Sequence, residues 1–235
     1  MDRRRFLSAG GFSLTAAFLA ACSIDRSPRA QRLLDLAEKK NEGVERSLFQ
    51  HSSMNSASGK AKMAGAAFPS YFVSNTVPVW NESVRGPWAL EVSGLVQNPV
   101  KLTLDDLRRL PFRSQRVDHF CVEGWNAVAV WQGVRLSDIA KLVGAKPEAG
   151  YVDFQSFDDG YHESWDIESA MHPQTLIVFA MDGHLLGMAH GAPARVHSPV
   201  KLGYKNTKYL TKVVFLPTRN GGYWSDQGYE WYGGT

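Results

Sequence analysis

Apolar residues recur along the chain mostly in short alternating runs, and helical spacing is confined to a few brief stretches. Trp88–Leu95 (WALEVSGL) alternates apolar and polar positions as a half-buried strand does, and Gly94 and Pro99 mark the turn after it. Ser114–Val122, Tyr151–Ser156, Thr175–Met181, Ala194–Val200 and Tyr209–Leu216 read as further strands, and Phe68–Asn75 as a short aromatic strand with a turn at Asn75. Asp182-Gly183 predicts a hairpin turn. Thr103 is placed as an N-cap, with Asp105 and Asp106 in the first turn, Leu104, Leu107 and Leu110 on one face, and Pro111 as the stop. Leu136–Val143 predicts a second short helix, and Ser164–Met171 a helical or looped segment. Short strands outnumber short helices, so the expected class is α+β, a single domain of mixed β-sheets or a barrel.

The first 65 residues carry a different pattern. Arg3, Arg4 and Arg5 precede Phe6-Leu7 and an apolar, Gly/Ala-rich stretch that ends in Leu19-Ala20-Ala21-Cys22. A basic start, a short apolar run and small residues before a cleavage point describe an export signal rather than a membrane span. The RRRFL run fits a twin-arginine signal, and LAAC a lipobox that places a lipid on Cys22. Residues 1–22 are therefore expected to be the signal and 23–65 a tether with one helix after Pro28, bearing Leu33, Leu34, Leu36, Ala37 and Val44. Residues 66–235 are expected to be the folded domain. The expected location is the periplasmic or cell-surface side, anchored to a membrane by lipid.

Charge narrows the function classes. Without residues 1–21, which hold Asp2 and three arginines, the formal net charge of +3 falls to +1. No basic excess remains to neutralise phosphates, which excludes nucleic acid as the partner.

The candidate chemistry centres on Val117–Trp131, VDHFCVEGWNAVAVW. The chain has two cysteines, and with Cys22 assigned to the anchor, Cys121 has no disulfide partner. His119 and Glu123 each lie two residues away, on the same face of an extended backbone, and Gly124 permits a sharp turn. A thiol grouped with an imidazole and a carboxylate is a nucleophile, a metal ligand or a buried small hydrophobe. A nucleophile would be assisted by His119 or His172. His172, preceding Pro173, reads better as a local hydrogen-bonding residue.

Further motifs follow Cys121 in order: Ala170-Met171-His172-Pro173, Gly191-Ala192-Pro193-Ala194-Arg195 and Lys201-Leu202-Gly203-Tyr204-Lys205. With Asn75 and CVEGW, this set resembles the sulfite oxidase family of molybdopterin enzymes, nearest to its single-domain bacterial methionine sulfoxide reductase branch. The resemblance covers roughly residues 68–216. It implies a molybdenum–molybdopterin cofactor with Cys121 as the protein ligand to the metal, a role that suits a soft thiolate. It also implies that Asn75, Ser156, His190, Arg195, Gly203, Tyr204 and Lys205 hold the pterin and its phosphate, and that Glu123 relays protons.

Three departures shape the expected substrate. The sulfite-oxidising members carry Gly-Asn-Arg-Arg after their cysteine, where this chain has Val122-Glu123-Gly124-Trp125, which disfavours a small dianion. The reductase branch has arginine where this chain has Phe120, asparagine at His190 and threonine at Ser156. Its best-known reductase has no counterpart to the lipid anchor expected at Cys22. The resulting expectation is an exported oxidoreductase acting on a small-molecule or protein-bound oxide, such as methionine sulfoxide or another S- or N-oxide. With no haem motif in the chain, electrons would come from a separate partner, a membrane haem protein or a soluble cytochrome. Two alternatives stand beside it: a non-catalytic lipoprotein module on the same fold, and a cysteine-nucleophile hydrolase.

Overall fold

The computed structural model describes residues 28–48, 54–56, 63–64 and 68–235. The export signal and anchor expected at 1–22 lie outside the described residues. The chain divides into two units, residues 1–47 and 48–235. In the first, Pro28–Leu48 forms one helix with an Arg46–Glu42 ion pair one turn apart at 2.8 Å. No described helix is long and apolar enough to cross a membrane.

Among its described residues the second unit has eleven strands. They are β1 (Met63–Ala64), β2 (Leu90–Gly94), β3 (Val100–Leu102), β4 (Phe112–Phe120), β5 (Asn126–Arg135), β6 (Tyr151–Ser156), β7 (His162–Asp166), β8 (Leu176–Met181), β9 (His184–Leu185), β10 (Arg195–His197) and β11 (Leu210–Leu216). One sheet runs β1-β5-β8-β10, with β4 on β5 and β9 on β8; the other runs β3-β2-β11-β6-β7. Neither closes on itself, so the architecture is two mixed sheets and not a barrel. In the second sheet β2 and β11 pair in parallel, and all its other pairs are antiparallel.

The main core joins the two sheets. Val92, Phe154, Val213 and Phe215 meet Val134, Ile177, Phe179 and Val196, with Ile139 and Val143 of the helix Leu136–Val143 filling the join. Each such fully buried side chain contributes about 1.5–3 kcal/mol. A second cluster, around Trp131, Val117, Leu176 and Phe68, belongs to the first sheet. Thr103 caps its helix through a reciprocal pair with Asp106, as the sequence predicts.

Three elements differ from the sequence reading. Phe68–Asn75 forms no strand: Val73 and Ser74 instead donate their backbone N–H groups to the buried Asp158 carboxylate at 2.8 and 3.1 Å. The strand β5 follows directly on the Cys121 loop, and its run Ala127–Val130 lacks the alternation that marks a half-buried strand, because it is buried on both faces. Ser164 lies within β7, and only Ile167–Ala170 of that segment is helical. The segment expected to be tether also reaches the body: Asn55 exchanges hydrogen bonds with Gln174 at 2.7 and 2.8 Å, and β1 pairs with β5.

Candidate active site

The β4–β5 ladder runs unbroken to Phe120 opposite Asn126, so residues 121–125 form the tip of a hairpin. The tip closes on itself: Cys121 N–H donates to the Trp125 carbonyl at 2.9 Å, and Gly124 N–H to the Cys121 carbonyl at 3.0 Å. Gly124 takes φ +83°, a conformation that side chains other than glycine's disfavour. The hairpin thus delivers Cys121 at a fixed position, half-exposed, into a cavity of about 300 Å³.

Five other segments complete the walls. Phe68–Val73 and Trp125 supply aromatic surface; β6 and its following turn supply Ser156, Asp158 and Tyr161; the loop into β10 brings His190 and Arg195; the stretch before β11 brings Gly203, Tyr204, Asn206, Lys208 and Tyr209. Trp224 and Tyr229 close the last side. Tyr71, Val122 and Tyr229 are among the exposed apolar residues of this wall.

Of the residues expected to form the site, Cys121, Glu123, Ser156, His190, Arg195, Gly203 and Tyr204 line this cavity together. Asn75 is exposed and does not line it, while its neighbours Val73 and Ser74 are tied to Asp158. Lys205 also requires a correction. Its ammonium is fully buried against Glu163 Oε2 at 2.5 Å, an ion pair also braced by Ser225, and it does not line the cavity. Lys208, three residues further on, is the cation that does. Lys201, Lys205 and Lys208 crowd one eight-residue run interrupted by the irregular turn Gly203–Lys205, and of the three only Lys208 lines the cavity. His172 is buried and accepts the Gln174 N–H at 3.1 Å, the local role its place before Pro173 suggests.

The electrostatics of the cavity are lopsided. Arg195 is buried, and its bonds go to the carbonyls of Val196, His190 and Asn206. Burial lowers its pKa to about 10. Lys208 donates to the Ala189 carbonyl at 3.0 Å, and burial, reinforced by Arg195, lowers its pKa to about 7. Among the described residues neither cation has a carboxylate in ion-pair range. The hydroxyl of Tyr209 is buried with no hydrogen-bond partner. Two cations without a direct ion-pair partner and an orphaned hydroxyl in one cavity are what a phosphate-bearing ligand would satisfy, because a buried charge without a contacting counter-ion is costly.

Behind Cys121 lies a stack of rings. His119 and His197 meet at 3.3 Å through Nδ1 and Nε2, His197 lies flat on Trp131 at 4.1 Å, and Arg195 covers the indole. Burial depresses both imidazoles, His119 to about 3, so both are neutral at pH 7. Gly203 sits on this stack: a Cβ there would come within 2.8 Å of His119 Nε2.

The thiol itself is held protonated. Burial raises the Cys121 pKa and the Glu123 carboxylate adds to the rise, against donated N–H groups of Glu123 and Val122. Glu123 Oε2 lies 3.9 Å from Sγ and accepts the Trp125 indole N–H at 2.9 Å. A neutral thiol beside a neutral His119 is a poor hydrolytic nucleophile, since no thiolate–imidazolium pair forms. A bound metal reverses that, because coordination deprotonates the thiol outright.

Known proteins of one family resemble this chain. The family described as "Oxidoreductase molybdopterin binding domain" matches residues 75–224. The chain is 37% identical over 234 residues to a putative protein-methionine-sulfoxide reductase subunit, YedZ1, of Azospira oryzae, covering 99% of this chain and 86% of that protein. It is 33% identical to the uncharacterized oxidoreductase YuiH of Bacillus subtilis, across 67% of this chain and 78% of the relative. Likewise it is 33% identical to the protein-methionine-sulfoxide reductase catalytic subunit MsrP of Ralstonia nicotianae, across 55% of this chain and 44% of the relative. Among solved structures, the sulfane dehydrogenase SoxCD of Paracoccus pantotrophus shares the fold, with a TM-score of 0.53, 23% identity, and coverage of 56% of this chain and 39% of that one. The family match spans more than half of the chain and takes in Cys121, Arg195 and Lys208 alike, so this protein belongs to the molybdopterin-binding oxidoreductases, enzymes whose cofactor is molybdenum–molybdopterin.

Proposed function

We propose that the chain is an exported, lipid-anchored catalytic subunit that reduces sulfoxides, protein-bound methionine sulfoxide foremost, with electrons from a separate redox partner. The observation that carries this reading is the placement of Cys121 on a rigid hairpin tip among two unlike kinds of surroundings in one cavity. The same lining holds Arg195, Lys208 and the Tyr209 hydroxyl together with Tyr71, Val122, Trp125 and Tyr229. The relatives named as methionine sulfoxide reductases support the substrate class, and the twin-arginine and lipobox patterns support export and anchoring through Cys22.

Cys121 would supply the thiolate to the metal, and Arg195, Lys208 and Tyr209 would hold the phosphate end of the pterin, with Ser156, His190 and the backbone around Gly203-Tyr204 beside it. Bound there, the cofactor supplies two-electron oxygen-atom chemistry. The apolar collar suits a thioether sulfoxide better than a sulfite dianion, because the loop after Cys121 contributes no arginine and the two cavity cations are taken by the phosphate. Glu123, held by the Trp125 indole N–H, is placed to carry a proton at Oε2 toward the oxygen that leaves as water. The overall balance is one sulfoxide, two electrons and two protons giving one thioether and one water, the electrons arriving from the partner.

The test is protein matured through its own export route, assayed for molybdenum and pterin and then for turnover with reduced viologen. Oxidised methionine in a peptide, a small aryl sulfoxide and, in the reverse direction, sulfite with ferricyanide are the three substrates. Sulfoxide turnover with sulfite inert is expected. Molybdenum-loaded protein that turns over sulfite alone, or no sulfoxide at all, overturns the reading. Cys22→Ala is expected to release the protein from the membrane fraction.

A further inference from the structure

The His119–His197 pair behind the thiol has no task in the chemistry above, yet it is built to hold one proton at one atom. His119 is 7% exposed and still lines the cavity, whereas His197 is fully buried and does not. Phe68, Trp125 and Trp131 surround the His119 ring and His197 lies flat on Trp131, so packing holds both imidazoles in place.

The hydrogen bonds decide where the protons sit. His119 Nδ1 and His197 Nε2 meet at 3.3 Å, a contact with room for one proton, since two N–H groups there would face each other. Among the described residues His197 Nδ1 is buried with no hydrogen-bond partner. A proton on it would bury an orphaned N–H, which folded proteins avoid more strictly than an orphaned lone pair. His197 therefore carries its proton on Nε2 and donates it to His119 Nδ1, and a neutral His119 carries its own proton on Nε2. Among the described residues that nitrogen has no partner, and it faces Gly203, where a Cβ would come within 2.8 Å of it. Glycine at this place keeps the donor clear.

His119 stands two residues before Cys121 and in the field of Arg195 and Lys208, so the acceptor it meets belongs to the pterin head that joins metal to phosphate. We propose that His119 donates its Nε2–H to the head of the bound pterin, and that His197, outside the cavity, is the positioning residue that keeps the proton on that atom. A neutral donor suits a neutral heterocycle, while the cations answer the phosphate. The proposal rests on the cavity being the cofactor site and does not involve the sulfoxide.

Full-length protein with isotope-labelled histidine nitrogens, prepared cofactor-free and loaded, tests this by long-range proton–nitrogen spectra. The rings are assigned by their contacts with Phe68, Trp125 and Trp131. Both histidines are expected to be protonated at Nε2 and bare at Nδ1 in the cofactor-free chain. Loading should shift the His119 Nε2–H resonance and slow its exchange with water by at least about ten-fold. Pterin retained after dialysis is the second readout. His119→Phe should lose pterin about two- to ten-fold faster than the parent, and His119→Gln, whose amide can stand near Nε2, should recover most of that loss. His197→Phe should let the His119 proton spread over both nitrogens, and His197→Gln, which keeps a donor, should hold it on Nε2. His119 protonated at Nδ1 in the parent, a resonance indifferent to loading, or equal retention by His119→Phe and the parent overturns the proposal. A parent chain that binds no pterin overturns the cofactor reading of the cavity and this proposal with it. Loaded protein that gives the expected spectra supports the proposal whether or not it reduces sulfoxides. The parent spectra decide the matter even where a variant fails to fold, which thermal unfolding reports.

Discussion

Replacing Lys205 with methionine removes an ammonium that lies 2.5 Å from Glu163 Oε2, with both side chains fully buried. Removing one partner of a buried ion pair costs about 3–5 kcal/mol, most of it from the stranded charge. Glu163 keeps the Trp224 N–H at 3.0 Å and the Ser225 hydroxyl at 3.2 Å, which places the cost near the lower end. At about 3 kcal/mol, a body of this size melts about 6–12 °C lower. Lys208→Met acts in the opposite way. It removes a cation that burial already disfavours, so the cofactor-free protein should melt no lower than its parent. What it removes is a charge-assisted bond to the phosphate, about 1.5–3 kcal/mol, or a loss of about 10–150-fold in affinity. The assay is thermal unfolding of cofactor-free protein by circular dichroism, paired with the molybdenum and pterin retained after extended dialysis of loaded protein. A Lys205→Met variant that melts normally but sheds its cofactor, with a Lys208→Met variant that melts early and keeps it, would refute the assignment of the two lysines.

Three further outcomes are expected. Cys121→Ser should keep about one pterin per chain by fluorescence after acid oxidation while turnover collapses, since the phosphate contacts lie elsewhere; joint loss of fold and pterin would contradict that division of roles. Gly203→Ala drives a methyl to within 2.8 Å of His119 Nε2 and should lower molybdenum occupancy with little change in melting temperature, read by metal analysis. His119 and His197 both have depressed folded pKa values, so the unfolded chain binds more protons than the folded one between the usual histidine value and about 3. Stability is therefore full above about pH 6.5 and falls as pH drops below it; urea titrations from pH 7 to 4 should show this slope, and His197→Phe should flatten it.

The sheets were legible where one face is wet and illegible where neither is. β2 alternates because one face packs on the core, and the alternation is visible in the sequence; β6 alternates in sequence although Asp153 is buried along with Val152 and Phe154. Ala127–Val130 is apolar throughout, so no period marks it, although its hairpin places the central cysteine. Phe68–Asn75 shows the converse failure: its aromatic residues are there to wall a cavity, and its backbone N–H groups find Asp158 instead of a neighbouring strand. Among the site residues, Cys121 and Glu123 could be found because an odd thiol is rare. Arg195 could be found because it stands in an ordered motif. Asp158, Tyr209 and His197 gave no signal, because a turn aspartate, a strand tyrosine and a buried histidine look alike whether or not they face a ligand.

The three lysines near residue 205 show what decides such cases. Lys201 is bound to Asp166 at 2.8 Å and Lys205 to Glu163, both carboxylates being delivered by β7 from positions outside the Lys201–Lys208 run. Lys208 lies against Phe72 and Tyr209 and within the field of Arg195, with the Asp158 carboxylate acting on it only from beyond ion-pair range. A lysine's role here is set by whether the sheet opposite it presents an acid, and that is a property of strand pairing. Two lysines satisfied in this way fasten the polypeptide from Leu202 to Tyr209 to the body, and the third lines the cavity, where burial lowers its pKa to about 7 and a bound phosphate would favour its charged form. The cationic half of the cavity is therefore preorganised by its uncharged surroundings: the fold pays the desolvation of Arg195 and Lys208 in advance, and an arriving phosphate recovers it.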